Sequence, residues 1–146
     1  EFENLIITRS FSKAYGLAGL RVGYSVCSPI IADFINRVRE PFNVNYTAQV
    51  AAIAALSDND HLKESVELNN KGYQQLVSGF GSFNLSYIPS YANFIAVKFD
   101  NAMNTYNDLL KEGVIVRPVE MSEYLRISIG TEDENDHLLR SLKKIL

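Results

Sequence analysis

Apolar residues recur along this chain with two different periods, and the change from one to the other falls near residue 80. Residues 5–8, LIIT, form a short apolar run without strict alternation, which predicts a strand in a sheet covered on both faces. A second strand is predicted over 20–27, LRVGYSVC, with Gly16, Gly19 and Gly23 punctuating the way to it. Ser28 followed by Pro29 reads as a helix N-cap and first helical residue. Ile30, Ile31, Phe34, Ile35 and Val38 make the apolar stripe of that helix, which should end near Pro41. The alanine-rich residues 45–56 predict another helix, and a third is expected from about Asp60 to Val77. In that third helix Leu62, Val66, Tyr73 and Leu76 point inward, Asn69 breaks the stripe, and Gly79 and Gly81 stop it. Beyond this point the period drops towards two. Residues 83–90, 93–99 and 114–119 read as strands, with a helix over 102–111 ended by Gly113. EYLRISIG, 123–130, alternates well, with Leu125, Ile127 and Ile129 on one face and Arg126 and Ser128 on the other. Thr131 and Glu134 then supply a capping box for a last helix that carries Leu138, Leu139, Leu142 and Ile145.

Composition narrows the function classes. A chain of 146 residues with 47% apolar content can bury a core. Fourteen basic and seventeen acidic residues leave no broad positive face, so neither nucleic acid nor an anionic membrane is an expected partner. No run reaches the roughly twenty apolar residues that span a bilayer. The single Cys27 excludes an internal disulfide framework and fits a reducing, cytoplasmic setting. His61 and His137 stand near predicted helix starts without partners at ligand spacing, so no metal is expected. The chain enters an apolar strand almost at once, as though it continued a longer one.

The candidate chemistry is concentrated in residues 9–24, RSFSKAYGLAGLRVGY. Lys13 follows a predicted buried strand, where α/β sheets commonly bind ligands, and a lysine in a partly desolvated pocket can attack a carbonyl. Ser10 and Ser12 are two apart, which in extended chain puts both hydroxyls on one face. Arg21, eight residues after Lys13, adds a planar guanidinium suited to phosphate. Amine, hydroxyls and guanidinium together suit a phosphorylated aldehyde. Taken singly, each has a plainer reading: a solvated lysine, glycines that serve only a turn. A Walker-type phosphate loop does not fit, because Ala14 follows the lysine where that loop needs Ser or Thr.

The string SFSKAYGLAGLRVGY closely resembles the cofactor-lysine segment of fold-type I pyridoxal-phosphate-dependent aminotransferases. The resemblance implies that Lys13 carries pyridoxal 5'-phosphate as a Schiff base and then shuttles a proton, and that Ser10, Ser12 and Arg21 hold the cofactor phosphate. PFNVNYTAQVAAIAAL, PSYANFIAVKF, GVIVRPV and EYLRISIGTEDEN resemble successive blocks of the histidinol-phosphate aminotransferase branch, so the likeness covers nearly the whole chain. By that likeness Arg126 receives the substrate α-carboxylate, Arg117 contacts a further anion such as the phosphate of histidinol phosphate, and Asn93 is a further substrate contact. The stretch between Arg117 and Arg126 is shorter than the family pattern, which implies a different pocket wall there. Tyr15 and Tyr24 are read as packing aromatics.

The implied fold is α/β: the last strands of a large-domain sheet, over residues 1–45, followed by a connecting helix and a small α+β domain, over 46–146. The implied activity of the parent is transfer of an amino group between histidinol phosphate and 2-oxoglutarate, by a homodimer acting on small amino- and keto-acids. The family's upstream elements, including the aspartate paired with the pyridine nitrogen, do not map onto this chain. The chain is therefore expected to be a carboxyl-terminal portion that binds cofactor poorly and is inactive alone. Two alternatives share much of the pattern: a threonine-phosphate decarboxylase, and a regulator that keeps the fold without catalysis.

Overall fold

The computed structural model describes residues 2–146, which form two compact units, one ending at Val66 and the other running from Glu67 to Leu146. In the first unit, β1 (Ile6–Ser10) pairs antiparallel with β2 (Gly23–Cys27) in a two-stranded sheet, Ile6 opposite Cys27 and Ser10 opposite Gly23. Within this chain Ile6 and Ile7 are 45% and 44% exposed, so the described residues do not themselves cover both faces of the pair. An apolar run specifies strand geometry, but it does not say what lies over the strand. The second strand also starts later than predicted. Ala18–Leu20 form a 3-10 turn, and Arg21 takes a left-handed backbone with φ 55°, so extension resumes only after it.

The helix starts follow from their caps. Ser28 accepts the N–H of Ile31 and Pro29 opens α1 (Pro29–Val38). Its apolar stripe is largely open to solvent, with Ile30, Phe34 and Val38 all exposed. Asn45 accepts the N–H of Ala48 at 2.8 Å and opens α2 (Tyr46–Ser57).

The division between the units falls within α3 (Asn59–Ser82), which does not stop at Gly79 or Gly81. Gly79 is a packing position, because a Cβ there would collide with the side chain of Leu139. Gly72 is another, since its Cβ would stand 2.6 Å from Ile129 and 2.9 Å from the Asn135 amide nitrogen. A close approach of two elements outweighs the helix-breaking tendency of glycine here. Val66, expected inward, is exposed, whereas Leu76 and Phe80 are fully buried.

The second unit is built on an antiparallel sheet in the order β3 (Tyr87–Ile88), β4 (Phe94–Lys98), β6 (Tyr124–Ser128), β5 (Arg117–Pro118). The strands predicted over 83–90 and 114–119 shrink to two paired residues each. Between β4 and β5 runs α4 (Ala102–Lys111), capped by Asn101 and followed by Gly113 at φ 78°. Alternation in β4 and β6 sends Ile95, Val97, Leu125 and Ile127 into one core with Leu76, Phe80, Leu109 and Leu142. The capping box opens α5 (Glu132–Ile145): the Thr131 N–H donates to Glu134 Oε2 at 2.8 Å, and the Glu134 N–H donates to Thr131 Oγ1 at 3.4 Å.

Two outcomes follow from this packing. A Cβ on Gly23 would lie 2.6 Å from the carbonyl oxygen of Arg9, so Gly23→Ala should destabilise the β1–β2 pair by about 2 kcal/mol, read as a lowered Tm. The hydrogen bonds from the Thr131 backbone and then its hydroxyl hold the Glu134 carboxyl below the usual carboxylate range. A depressed folded-state pKa contributes stability at pH above the unfolded value, about 4.3, which is lost as pH falls through the folded value. Glu134→Gln keeps the cap without the titration. Denaturation midpoints of that variant, followed downward from about pH 5, should fall less steeply than those of the parent.

Candidate functional site

The residues singled out from the sequence fall into two groups, one in each unit. In the first unit, the ladder of β1 and β2 continues one step past Ser10 and Gly23, through the bond from the Phe11 N–H to the Val22 carbonyl at 3.2 Å. The chain between them is therefore a closed loop, and Ser10, Ser12, Lys13 and Arg21 all lie at this end of the strand pair. Phe11 anchors the loop from below, 3% exposed, with the rings of Tyr15 and Tyr24 centred 4.9 and 5.9 Å from its own. Two tight backbone bonds shape it: Gly16 N–H to the Lys13 carbonyl at 2.8 Å and Leu17 N–H to the Phe11 carbonyl at 2.9 Å. Gly16 sits at φ 70°, a conformation that favours glycine.

Within this loop the Ser12 N–H donates to Ser10 Oγ at 3.0 Å, which leaves the Ser10 hydroxyl proton free to donate elsewhere. Arg21 gives one Nη1 bond to the Ala18 carbonyl at 2.7 Å and keeps its remaining donors. Lys13 is exposed, and among the described residues no carboxylate forms an ion pair with Lys13 or Arg21. An ammonium, two hydroxyls and a guanidinium without an internal counter-ion form a donor set suited to a phosphate monoester.

In the second unit, Arg126 on β6 stands directly opposite Arg117 on β5 and opposite Ala96 on β4. Like charges placed opposite each other destabilise a sheet. No described carboxylate pairs with either arginine, and Arg126 Nε is buried with no hydrogen-bond partner. Such an arrangement is relieved by an anion that meets both guanidinium groups. Asn93 lies just before β4, where its carbonyl accepts the Ile129 N–H at 2.9 Å. Its side chain is exposed, since it lies beyond the paired, core-facing part of the strand.

The structure adds contacts around the two groups that the sequence did not specify. Gly23 admits the Arg9 carbonyl, and Asn45 donates from Nδ2 to the Leu20 carbonyl at 3.5 Å while capping α2. His61 Nε2 lies 3.8 Å from where a Cβ on Gly16 would stand. Phe94 lies under the Arg126 guanidinium, whose carbon is 4.9 Å from the ring centroid. Only the period-two register of β4 and β6 could have pointed to Phe94. His137 bonds through Nε2 to the Glu112 carbonyl at 3.0 Å. Among the described residues, no group of three or more His, Cys, Asp or Glu is placed to hold a metal ion, and no helix is long and apolar enough to cross a membrane.

Comparison with known proteins places the chain in a family. The histidinol-phosphate aminotransferase of Methylobacillus flagellatus is 55% identical over 149 residues, covering 100% of this chain and 40% of that protein. Histidinol-phosphate aminotransferase 2 of Pseudomonas aeruginosa is 54% identical and covers 98% of this chain and 40% of its own length. The chain thus spans about 40% of the length of the curated relatives it matches. Among solved structures, histidinol-phosphate aminotransferase from Sinorhizobium meliloti in complex with pyridoxal-5'-phosphate superposes with a TM-score of 0.88 at 31% identity, over 99% of this chain and 42% of that one. The family model for aminotransferase class I and II matches residues 1–142, and the chain belongs to that family.

Proposed function

We propose that the whole protein to which this chain contributes transfers an amino group from histidinol phosphate to 2-oxoglutarate, giving imidazole acetol phosphate and glutamate, with pyridoxal 5'-phosphate as cofactor. The observation that carries the reading is the opposition of Arg126 and Arg117, with a buried guanidinium nitrogen left without a partner. That arrangement calls for an anionic substrate. The names of the relatives, at more than half identity, supply its class.

The donor set of the first unit fits the cofactor. Ser10, Ser12 and Arg21 would hold its phosphate and Lys13 Nζ its aldehyde carbon. When bound, pyridoxal phosphate supplies the electron sink for charge developing at the substrate α-carbon. As a free amine, Lys13 would take the proton from the substrate α-carbon as a general base and, as an acid, deliver it to the cofactor carbon that bears the aldehyde. Arg126 orients the substrate by a bidentate grip on its carboxylate, or on the phosphate where the amino donor has no carboxylate. Arg117 would add a second contact to that phosphate, and Asn93 would stand beside it. In this reading residues 1–45 belong to a cofactor-binding domain, and residues 46–146 to a connecting helix and a small domain. A cytoplasmic homodimer is part of the same proposal, and sedimentation of the whole protein tests the dimer.

Two experiments test the assignment. Mixing the whole protein with pyridoxal phosphate should produce the long-wavelength absorbance of a lysine-bound cofactor. Lys13→Ala should abolish that band and lower kcat about a thousandfold. A band that survives the substitution removes Lys13 from its role, and carbon dioxide release in place of glutamate formation replaces the transaminase with a decarboxylase. Arg117→Ala should raise the KM for histidinol phosphate by about tenfold, and by less for 2-oxoglutarate if the phosphate is what Arg117 meets. Steady-state kinetics with each substrate varied in turn checks this.

A further inference from the structure

Phe94 opens β4 opposite Ser128, and Arg126 stands opposite Ala96 on the same strand pair. Phe94 and Arg126 are therefore diagonal neighbours on one face of the sheet, at a separation that a ring and a long side chain can bridge. They do bridge it, with the guanidinium carbon over the ring at 4.9 Å. The other two residues of that square, Ala96 and Ser128, are small, which leaves the arginine stem room to lean across.

Arg126 is otherwise poorly held. Its Nε has no partner, and no described carboxylate fixes the far end of the group. A long side chain in that condition samples several rotamers unless something apolar restrains it. The ring of Phe94 is the contact that restrains it, and it covers one side of the guanidinium from water. A cation over an aromatic face is held more strongly as it is desolvated.

We propose that Phe94 is a positioning residue for Arg126: its ring holds the guanidinium in place so that the nitrogen edge meets the substrate carboxylate bidentately. The proposal rests on the transaminase reading and deepens it, by assigning the preorganisation of the carboxylate grip to an aromatic side chain. Phe94 touches no substrate in this account. It lowers the cost of ordering the group that does.

The test uses the whole protein loaded with pyridoxal phosphate, and compares Phe94→Leu with Phe94→Tyr. Calorimetric titration with succinate, an unreactive dicarboxylate, reads anion binding without turnover, and kinetics with 2-oxoglutarate reads KM and kcat. Phe94→Leu should weaken succinate binding and raise KM by about tenfold while kcat stays within about twofold, as for loss of an interaction common to ground and transition states. Phe94→Tyr keeps the ring face and should restore both values to within about twofold of the parent. If Phe94→Leu does not fold, Phe94→Met, unbranched and of similar bulk, takes its place in the same measurements. Succinate binding unchanged in the aliphatic variant, or lost equally in the tyrosine variant, overturns the proposal. A parent that binds succinate but forms no glutamate defeats the transaminase reading instead, while the binding difference between the Phe94 variants still decides the positioning role.

Discussion

The register of β6 between β4 and β5 is the constraint on which the second unit depends. Side chains on a strand alternate between faces, so each pairing that sets Leu125 against Val97 and Ile127 against Ile95 also sets Arg126 against Ala96 and Arg117. A slip of one residue would turn every side chain to the other face. Two apolar side chains, less than 2% exposed, would enter water, and a guanidinium would enter the core. The cost of that exchange, about 2 kcal/mol or more for each apolar side chain alone, far exceeds the cost of facing two arginines across a sheet. The core thus keeps in place a polar arrangement that is locally unfavourable, and the arginine-bearing side of the sheet is determined by its buried side.

The loop of the first unit rests on a different kind of constraint. Closure of the chain from Ser10 to Gly23 requires a backbone oxygen to pass where a Cβ would lie, a left-handed Arg21 and a positive φ at Gly16. Phe11 packs below, and the Asn45 amide ties the Leu20 carbonyl to the start of α2. None of these groups is part of the donor set, yet together they shape the backbone from which the donor set projects.

Features written in local sequence were legible. Ser28 with Pro29, Thr131 with Glu134, and the span of α4 each announce a boundary through a hydrogen bond or a ring within four residues, and the alternation in 124–128 identified both the core face and Arg126. The candidate site residues were singled out as types at fixed spacings, through likeness to a family. What depends on residues distant in sequence was not. Gly79 reads as a helix stop until Leu139 is seen to need the space, the short β3 and β5 are limited by where their partners end, and the open faces of β1 and α1 cannot be read from apolar runs alone. Phe94 belongs with these, because its relation to Arg126 exists only across strands.

Asn135, 2% exposed, adds a kinetic side to this picture. Its side-chain amide accepts the Gly130 N–H at 3.0 Å, donates to the Gly130 carbonyl at 3.2 Å, and donates to Gln75 Oε1 at 2.9 Å. One side chain thereby stands in for a neighbouring strand just beyond the end of β6, and joins it to α3 and α5. The strand end cannot fray without leaving a buried amide unpaired, so it opens only when the helices open with it. The backbone four residues earlier, at Arg126, thus belongs to a strand whose end is tied to the packing of both helices, while the Arg126 side chain itself rests on Phe94.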